Sequence, residues 1–164
     1  MKKIGEHVAR GNVRVRPGET GLPDGKEIRI RLFDGRFDTA FRVTKFLVFG
    51  GDQSHHDSSA RLSTEPNLPS GIDDFYDAGD NRQIAWAGHN GSTDVGFIDF
   101  QGQIDRENLV IEDLYLTFRF GSASTTAANY YIELDKYDIS ETMGAVVMVA
   151  NKSQGSDASQ RWIA

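Results

Sequence analysis

The sequence contains no cysteine among its 164 residues. A disulfide framework, a thiolate metal site and a cysteine nucleophile are therefore excluded, and the composition fits a reducing compartment or assembly in one. Long apolar runs are also missing, because no stretch approaches the roughly 20 apolar residues that a membrane helix needs. Met1-Lys2-Lys3 is followed by Ile-Gly-Glu-His rather than by the apolar core of a signal peptide. The sequence predicts a protein of the cytosol, or one assembled there.

Motifs of known reactions are absent as well. The chain has no Gly-x-Ser-x-Gly elbow, no phosphate-binding loop and no dinucleotide fingerprint. A cupin-type metal site needs two histidines one residue apart on a strand, whereas His55 and His56 are adjacent and would point to opposite faces. We therefore predict no catalytic residue, no cofactor and no metal.

Two groups of acidic residues leave alternatives open. A loop rich in oxygen ligands could bind calcium, but it lacks the order of an EF-hand, and a hydrated loop is the alternative; its candidates are Asp73, Asp74, Asp77, Asp80 and Asn81. Two carboxylate pairs could serve as acid and base in glycoside hydrolysis, although side chains on a solvated face are commoner. The pairs are Glu112 with Asp113 and Glu133 with Asp135.

Charge is unevenly placed along the chain. Residues 1–61 hold 12 Lys and Arg against 8 Asp and Glu, and residues 62–164 hold 6 against 16. The basic start is either a solvated or edge-strand segment, or an arm that docks on an acidic neighbour or on phosphate. The net charge of -6 argues against nucleic-acid binding by the whole domain, so that only the arm could do it. Its cations are Lys2, Lys3, Arg10, Arg14 and Arg16.

The periodicity of the apolar residues is mostly two, which indicates strands. Ile28, Ile30 and Leu32 alternate with arginines, and Leu114, Leu116, Phe118 and Phe120 alternate with polar residues. Further strands are predicted over residues 41–49, 61–64, 83–87, 95–104 and 129–139, and residues 65–81 form a long surface loop. In residues 41–49, Phe41, Val43, Leu47 and Phe49 share one side. The strands at 108–120 and 129–139 are predicted to form a hairpin with a long connection.

Only near the end of the chain does the spacing of the apolar residues change from that of a strand to that of a helix. Ser140 is a plausible N-cap, and Met143, Val146, Val147 and Ala150 have helical spacing, which predicts a helix from about residue 141 to 153, with a buried strand as the alternative. About eight short strands with long loops and one C-terminal helix predict an all-β antiparallel sandwich, most simply a jelly roll. The predicted organisation is an N-terminal arm and turn at 1–25, the sandwich at 26–155 and a tail at 156–164.

Aromatic residues support one alternative function. Alternate positions on strands make most of them core or interface residues, but some could form a sugar-stacking platform on one face, as in carbohydrate-binding modules. The candidates are Trp86, Tyr115, Tyr130, Tyr131 and Tyr137.

Several stretches resemble small virion proteins of marine bacteriophages. They are IRLFDGRFDTAFRVTKF at 30–46, LVIEDLYL at 109–116, NYYIEL at 129–134 and NKSQG at 151–155. The resemblance spans residues 28–155 and implies a capsid-associated β-sandwich, such as a vertex, decoration or minor capsid protein of the virion, assembled in the host cytoplasm. It implies no catalytic residue.

The resemblance and the residue patterns together favour a subunit that contacts other virion proteins and copies of itself. A carbohydrate-binding module that attaches to a host glycan is the alternative. Candidate assembly contacts are the cations of the arm, Lys2, Lys3, Arg10, Arg14 and Arg16, together with Trp162 and Ile163 near the end of a polar tail.

Overall fold

The fold is taken from a computed structural model. It describes residues 1–14, 26–50, 58–70, 74–90, 98–120 and 127–153, with the backbone alone for 89–90 and 98–101. These residues form strands and one helix with the following bounds: β1 Lys2–Arg14, β2 Lys26–Ile30, β3 Thr39–Gly50, β4 Ser58–Ser63, β5 Gln83–Asn90, β6 Ile98–Ile104, β7 Leu114–Phe120, β8 Ala127–Asp138 and α1 Glu141–Lys152.

The strands form two antiparallel sheets, with the orders β1-β8-β3 and β2-β7-β4-β5-β6. Pairing of β1 with β8, of β2 with β7 and of β4 with β5 is the order of a long hairpin rolled up on itself, which is the jelly roll. One strand departs from that order: β6 hydrogen-bonds to β5 although it also packs against β3. The predicted all-β sandwich is confirmed.

The main core lies between the two sheets. The apolar face of β7 packs with residues of β2, β3, β4 and β8. The alternating positions Leu114, Leu116, Phe118, Phe120, Ile30 and Leu32 are all buried there, together with Ile132 and Leu134 of β8. Alternate positions predict that most aromatic residues on strands are core or interface residues, but the register places Trp86 opposite Arg61 on the outer face. Ala85 and Ala87 point inward instead, because the ladder between β4 and β5 has an irregularity at Leu62 and Ser63.

A β-bulge also changes the face that β3 presents to the core. Phe41 and Val43 point inward as predicted, but Phe46 and Val48 follow them in the core, and Phe49 is exposed. The cause is a shift in the β3–β8 register between Val43 and Lys45, which exchanges the two faces. The prediction that Leu47 and Phe49 share a side with Phe41 and Val43 is therefore wrong.

The bulge is held by residues 108–110 at the free edge of β3. The Asn108 side chain accepts a hydrogen bond from the Val43 N–H at 2.9 Å and donates one to the Val43 carbonyl at 3.3 Å. Val110 exchanges two backbone hydrogen bonds with Phe41. The segment before β7 thus lies beside β3, and β7 itself enters the other sheet. The predicted hairpin between the strands at 108–120 and 129–139 is wrong, because β7 and β8 belong to different sheets.

The predicted helix is confirmed over Glu141–Lys152, with Ser140 as its N-cap. Its buried face is rotated by one residue from the prediction: Gly144, Val147 and Asn151 are buried, whereas Met143 and Val146 are exposed. Gly144 explains the rotation, because a Cβ there would lie 2.1 Å from the Phe37 carbonyl oxygen, so the helix approaches the chain closely on this side. Val147 joins a second small core with Ala40, Leu109, Ile111 and Ile139.

The basic N-terminal segment is a strand of the sandwich through Arg14. Its residues pair with β8 along the whole length of β1, and Val13 reaches the main core. Residues 2–14 are therefore an edge strand of the smaller sheet, which was one of the two alternatives, and they do not form a separate arm. Residues 15–25 and the tail at 156–164 lie outside the described part of the chain. No helix in the described part is long and apolar enough to cross a membrane.

Candidate functional site

Strand β1 places four of the predicted contact residues along one edge of the smaller sheet. Lys3 donates to Glu6 at 2.7 Å and to Asp135 of β8 at 2.8 Å, and the Arg14 Nε donates to the Asn12 side chain at 3.1 Å. The hydrogen bonds to Asp135 and Glu6 raise the pKa of Lys3 above its usual range. Ile4 and Val8 are 45% and 48% exposed on the same strand. Arg16, Trp162 and Ile163 lie outside the described residues.

An open groove of about 710 Å³ lies on the outer face of the same sheet. The register aligns Arg10 with Tyr131 and Leu47, and Asn12 with Asn129 and Phe49, across the three strands. These residues, with Gly11, Lys45 and Tyr130, line the groove. It combines apolar surface, amides and two cations, a mixture suited to holding a polar ligand that also has an apolar face.

The polar groups of the groove are partly fixed in place. Asn12 donates from its amide to the Asn129 oxygen at 2.9 Å, and Asn129 donates to the Gly50 carbonyl at 3.0 Å. The Tyr131 hydroxyl donates to Glu133 at 3.0 Å, a bond that raises the pKa of Tyr131. The Lys45 ammonium lies 5.8 Å from the centre of the Tyr131 ring. Phe49 is 51% exposed and closes one end.

The predicted aromatic platform is divided between the two sheets. Tyr131 and Tyr137 both lie on the outer face of β8, where the Arg42 guanidinium stacks over Tyr137 at 5.4 Å. Tyr130 points the other way and packs on the core beside Gly11, where an added Cβ would lie 2.7 Å from the Tyr130 hydroxyl oxygen. Trp86 and Tyr115 belong to the five-stranded sheet. Two of the five candidates thus share one face, but Tyr131 and Tyr137 are about 20 Å apart along β8 and do not form one platform.

The acidic loop is held by a buried arginine. Arg61 points to the outer face of the five-stranded sheet and donates to the carbonyls of Leu68, Pro69 and Phe75. Its guanidinium also stacks on the Phe75 ring at 4.7 Å. Burial lowers the pKa of Arg61, although the nearby carboxylates oppose that shift. Residues 64–70 and 74–82 thus form a fixed cover over this sheet, which the periodicity of the sequence did not indicate.

Two of the calcium candidates inside the described part of this loop bond to protein groups. The Asp80 carboxylate pairs with the Arg82 guanidinium at 2.7 Å, and the Asp77 carboxylate accepts the Gly79 N–H at 2.9 Å. Burial acts to raise the pKa of Asp80, but the hydrogen bonds from Arg82 have the larger combined effect and lower that pKa. Asp73 lies outside the described residues. Within the described ranges, no three His, Asp or Glu side chains are grouped so that they could hold a metal ion.

The carboxylate pairs are also engaged. Asp113 accepts the backbone N–H groups of Leu32 at 2.8 Å and Phe33 at 3.0 Å, and it pairs with Arg29. Glu112 binds Lys152 at 3.1 Å. Glu133 and Asp135 share the outer face of β8 as their spacing predicts, bonded to Tyr131 and Lys3. Of the histidines, His7 lies on β1 with its ring centre 6.3 Å from that of Phe41, and His55 and His56 fall outside the described part.

A second apolar surface lies on the outer side of α1. Val146 and Val149 are 56% and 69% exposed, and Met143 is exposed one turn before them. Phe33 and Phe37 contact each other and are also exposed, beside the start of the helix where Phe37 meets Gly144. The helical spacing of Met143 and Val146 predicts that both face the core, so the sequence does not indicate this exposed surface.

Comparisons with protein-family models, with curated proteins and with solved structures find no match to this chain.

Proposed function

We propose that this protein is a structural subunit of a bacteriophage virion, a vertex, decoration or minor capsid component that acts through protein-protein assembly. The observation that carries the proposal is the long edge strand β1, which spans 13 residues and holds four of the candidate contact residues. An edge strand of that length offers a row of backbone donors and acceptors to another chain.

The jelly roll supports the proposal more weakly. Viral capsid subunits share this architecture, but so do lectins and cupins, so the fold alone does not select among them. The exposed apolar surface on α1 gives the subunit a second place for contact with a neighbour, since side chains such as Val149 gain by leaving water. The proposal includes no catalytic step.

Analysis of purified particles tests this proposal. Phage particles are separated from free protein on a density gradient, and their proteins are quantified by mass spectrometry. We expect the chain in the particle fraction at a fixed ratio to the major capsid protein. A soluble host enzyme measured in the same fractions reports contamination. Presence in the infected-cell lysate together with absence from particles would overturn the proposal.

The groove on the smaller sheet favours carbohydrate binding as a second candidate function. Tyr131 and Phe49 offer ring faces to the apolar side of a sugar, and Asn12, Asn129 and Arg10 offer polar groups to its hydroxyls. This module would attach the particle to a glycan of the host surface.

An array of bacterial surface polysaccharides tests this second function. We expect Tyr131→Ala and Phe49→Ala to abolish retention of any glycan that the natural protein retains. Tyr115→Ala is the matched control because Tyr115 lies on the other sheet. No retention by the natural protein, or equal loss in all three variants, would remove carbohydrate binding from consideration.

A further inference from the structure

Strand β1 is a long sheet edge with few of the features that normally prevent pairing with another chain. Lysines, prolines and bulges are the usual protection, and here Lys2, Lys3 and a register shift between Lys3 and Gly5 are confined to its beginning. From Gly5 to Arg14 the pairing with β8 is regular. In the described part of the chain, no strand pairs with the side of β1 that faces away from β8.

Two opposite charges of β1 lie symmetrically about one residue. Glu6 is its only acid, and Arg10 is the cation four positions later on the same face, with Val8 midway between them. The Glu6 side chain is 75% exposed and contacts Lys3, which also binds Asp135. Arg10 makes no hydrogen bond or ion pair with the described residues. Both charged groups can therefore meet a new partner without leaving a buried charge behind.

We propose that β1 pairs antiparallel with β1 of a second copy of this chain, about a two-fold axis at Val8. In this register Glu6 of each copy lies opposite Arg10 of the other, so the interface holds the same ion pair twice. Val8 meets its own copy on the same face, and Gly5 lies opposite Gly11. The two three-stranded sheets become one continuous sheet across the dimer.

Other registers are less favourable. In the proposed register the like charges of Lys2 and Arg14 face each other only at the two ends of the contact, where the register shift interrupts the start of the strand. If Glu6 lay opposite Arg14, then Arg10 would lie opposite Arg10 of the second copy at the centre of the contact, and like charges directly opposite each other destabilise a strand pair. A register centred on Ile4 falls within the irregular start of the strand. The proposal rests on the assembly function and adds to it the identity of one partner and the register of the contact.

Sedimentation equilibrium of the full chain tests the charge pairing. We expect Glu6→Arg to weaken dimerisation by about tenfold, because repulsion replaces attraction at two symmetric positions. Arg10→Glu should have a similar effect, and the double variant should recover dimerisation because it restores the pair with exchanged signs. Glu107→Arg and Arg106→Glu are controls that change the net charge equally at exposed positions outside β1.

A single-cysteine variant tests the position of the two-fold axis. Because the natural chain has no cysteine, Val8→Cys introduces one thiol. Opposed residues of antiparallel strands have Cα atoms about 4.5–5.5 Å apart, within the range of a disulfide. In Asn12→Cys, the control, the two thiols lie about 27 Å apart in the proposed register. We expect a disulfide-linked dimer of Val8→Cys alone under mild oxidation.

The outcomes separate this proposal from the virion function. Equal cross-linking of both cysteine variants, no cross-linking of Val8→Cys, or a double charge variant no better than the single ones would overturn the β1 pairing. Each of these results leaves the particle experiment unaffected, since a virion subunit could use a different surface. Far-ultraviolet circular dichroism of every variant confirms that the fold is retained.

Discussion

Leu116 and Thr117 are neighbours in β7 that face opposite sides of the five-stranded sheet. Leu116 lies in the main core, and Thr117 donates to Glu27 at 3.3 Å and is only 5% exposed. We expect Leu116→Ala to lower the free energy of unfolding by about 2–5 kcal/mol, through lost burial and a cavity. Thr117→Ala should cost about 1 kcal/mol for one hydrogen bond. Urea denaturation of both variants checks this, and equal losses would contradict the assigned faces.

Arg61 is the residue on which the loop before β5 depends. It is completely buried, and its guanidinium satisfies three carbonyls of that loop. We expect Arg61→Met to lower the free energy of unfolding by about 2–4 kcal/mol, because the carbonyls lose their donors while remaining covered.

Arg106→Met is the control for Arg61→Met, since Arg106 is exposed, and it should change stability by less than about 0.5 kcal/mol. Limited proteolysis within residues 64–82 should also become faster in Arg61→Met. A variant as stable and as resistant to proteolysis as Arg106→Met would show that the loop is held by other contacts.

At the scale of the elements, α1 depends on a close approach that allows no side chain at one position. Alanine normally stabilises a helix by about 1 kcal/mol relative to glycine. At Gly144 we expect the reverse, because the Cβ would lie 2.1 Å from the Phe37 carbonyl oxygen and the helix would have to move away. Thermal melts of Gly144→Ala should therefore show a lower Tm than the natural protein.

The exposed neighbour provides the comparison for Gly144. Ala145→Gly should also lower stability, by about 1 kcal/mol, for the ordinary reason that glycine is a poor helix former. A higher Tm for Gly144→Ala would mean that the helix does not approach Phe37 closely.

Local periodicity predicts most elements, and long-range irregularities account for what it misses. Alternation in β7 identifies its buried face correctly, because its ladders with β2 and β4 are regular. In β3 the same reasoning fails after Val43, since the bulge depends on Asn108, which lies 65 residues away in sequence. The spacing in α1 indicates a helix, but its orientation depends on Gly144 and Asn151, whose contacts the sequence alone does not reveal. The groove likewise depends on the register of three strands.

At the scale of the whole molecule, Asp113 links the start of β7 to the chain after β2. Burial opposes its charge, but the N–H groups of Phe33 and Leu32 and the Arg29 guanidinium outweigh that and hold the pKa of Asp113 below its usual range. A carboxylate whose pKa is lower in the folded state than in the unfolded state stabilises the fold. This contribution is complete at pH values above the unfolded-state pKa of about 3.9. That contribution is lost as the pH falls through the folded-state pKa.

The expected result is a steep loss of stability below about pH 4. Asp113→Asn should be less stable than the natural protein at pH 7, and the difference between them should shrink as the pH falls toward 2. Urea denaturation at several pH values measures both. Glu107→Gln, at an exposed carboxylate, serves as the control, and a difference that stays constant with pH would contradict the role of Asp113.

Strand β8 lies at the centre of the smaller sheet, so this sheet cannot form until β8 has been synthesised. Both of its neighbours, β1 and β3, leave the ribosome long before β8 does. Lys2 therefore has no cross-strand partner until Asp138 has been synthesised. No strand of that sheet has its hydrogen-bonded partner until nearly all the described chain has emerged. Closure over such long loops is slow, so the nascent chain passes through a period in which two unpaired strands are available to other chains.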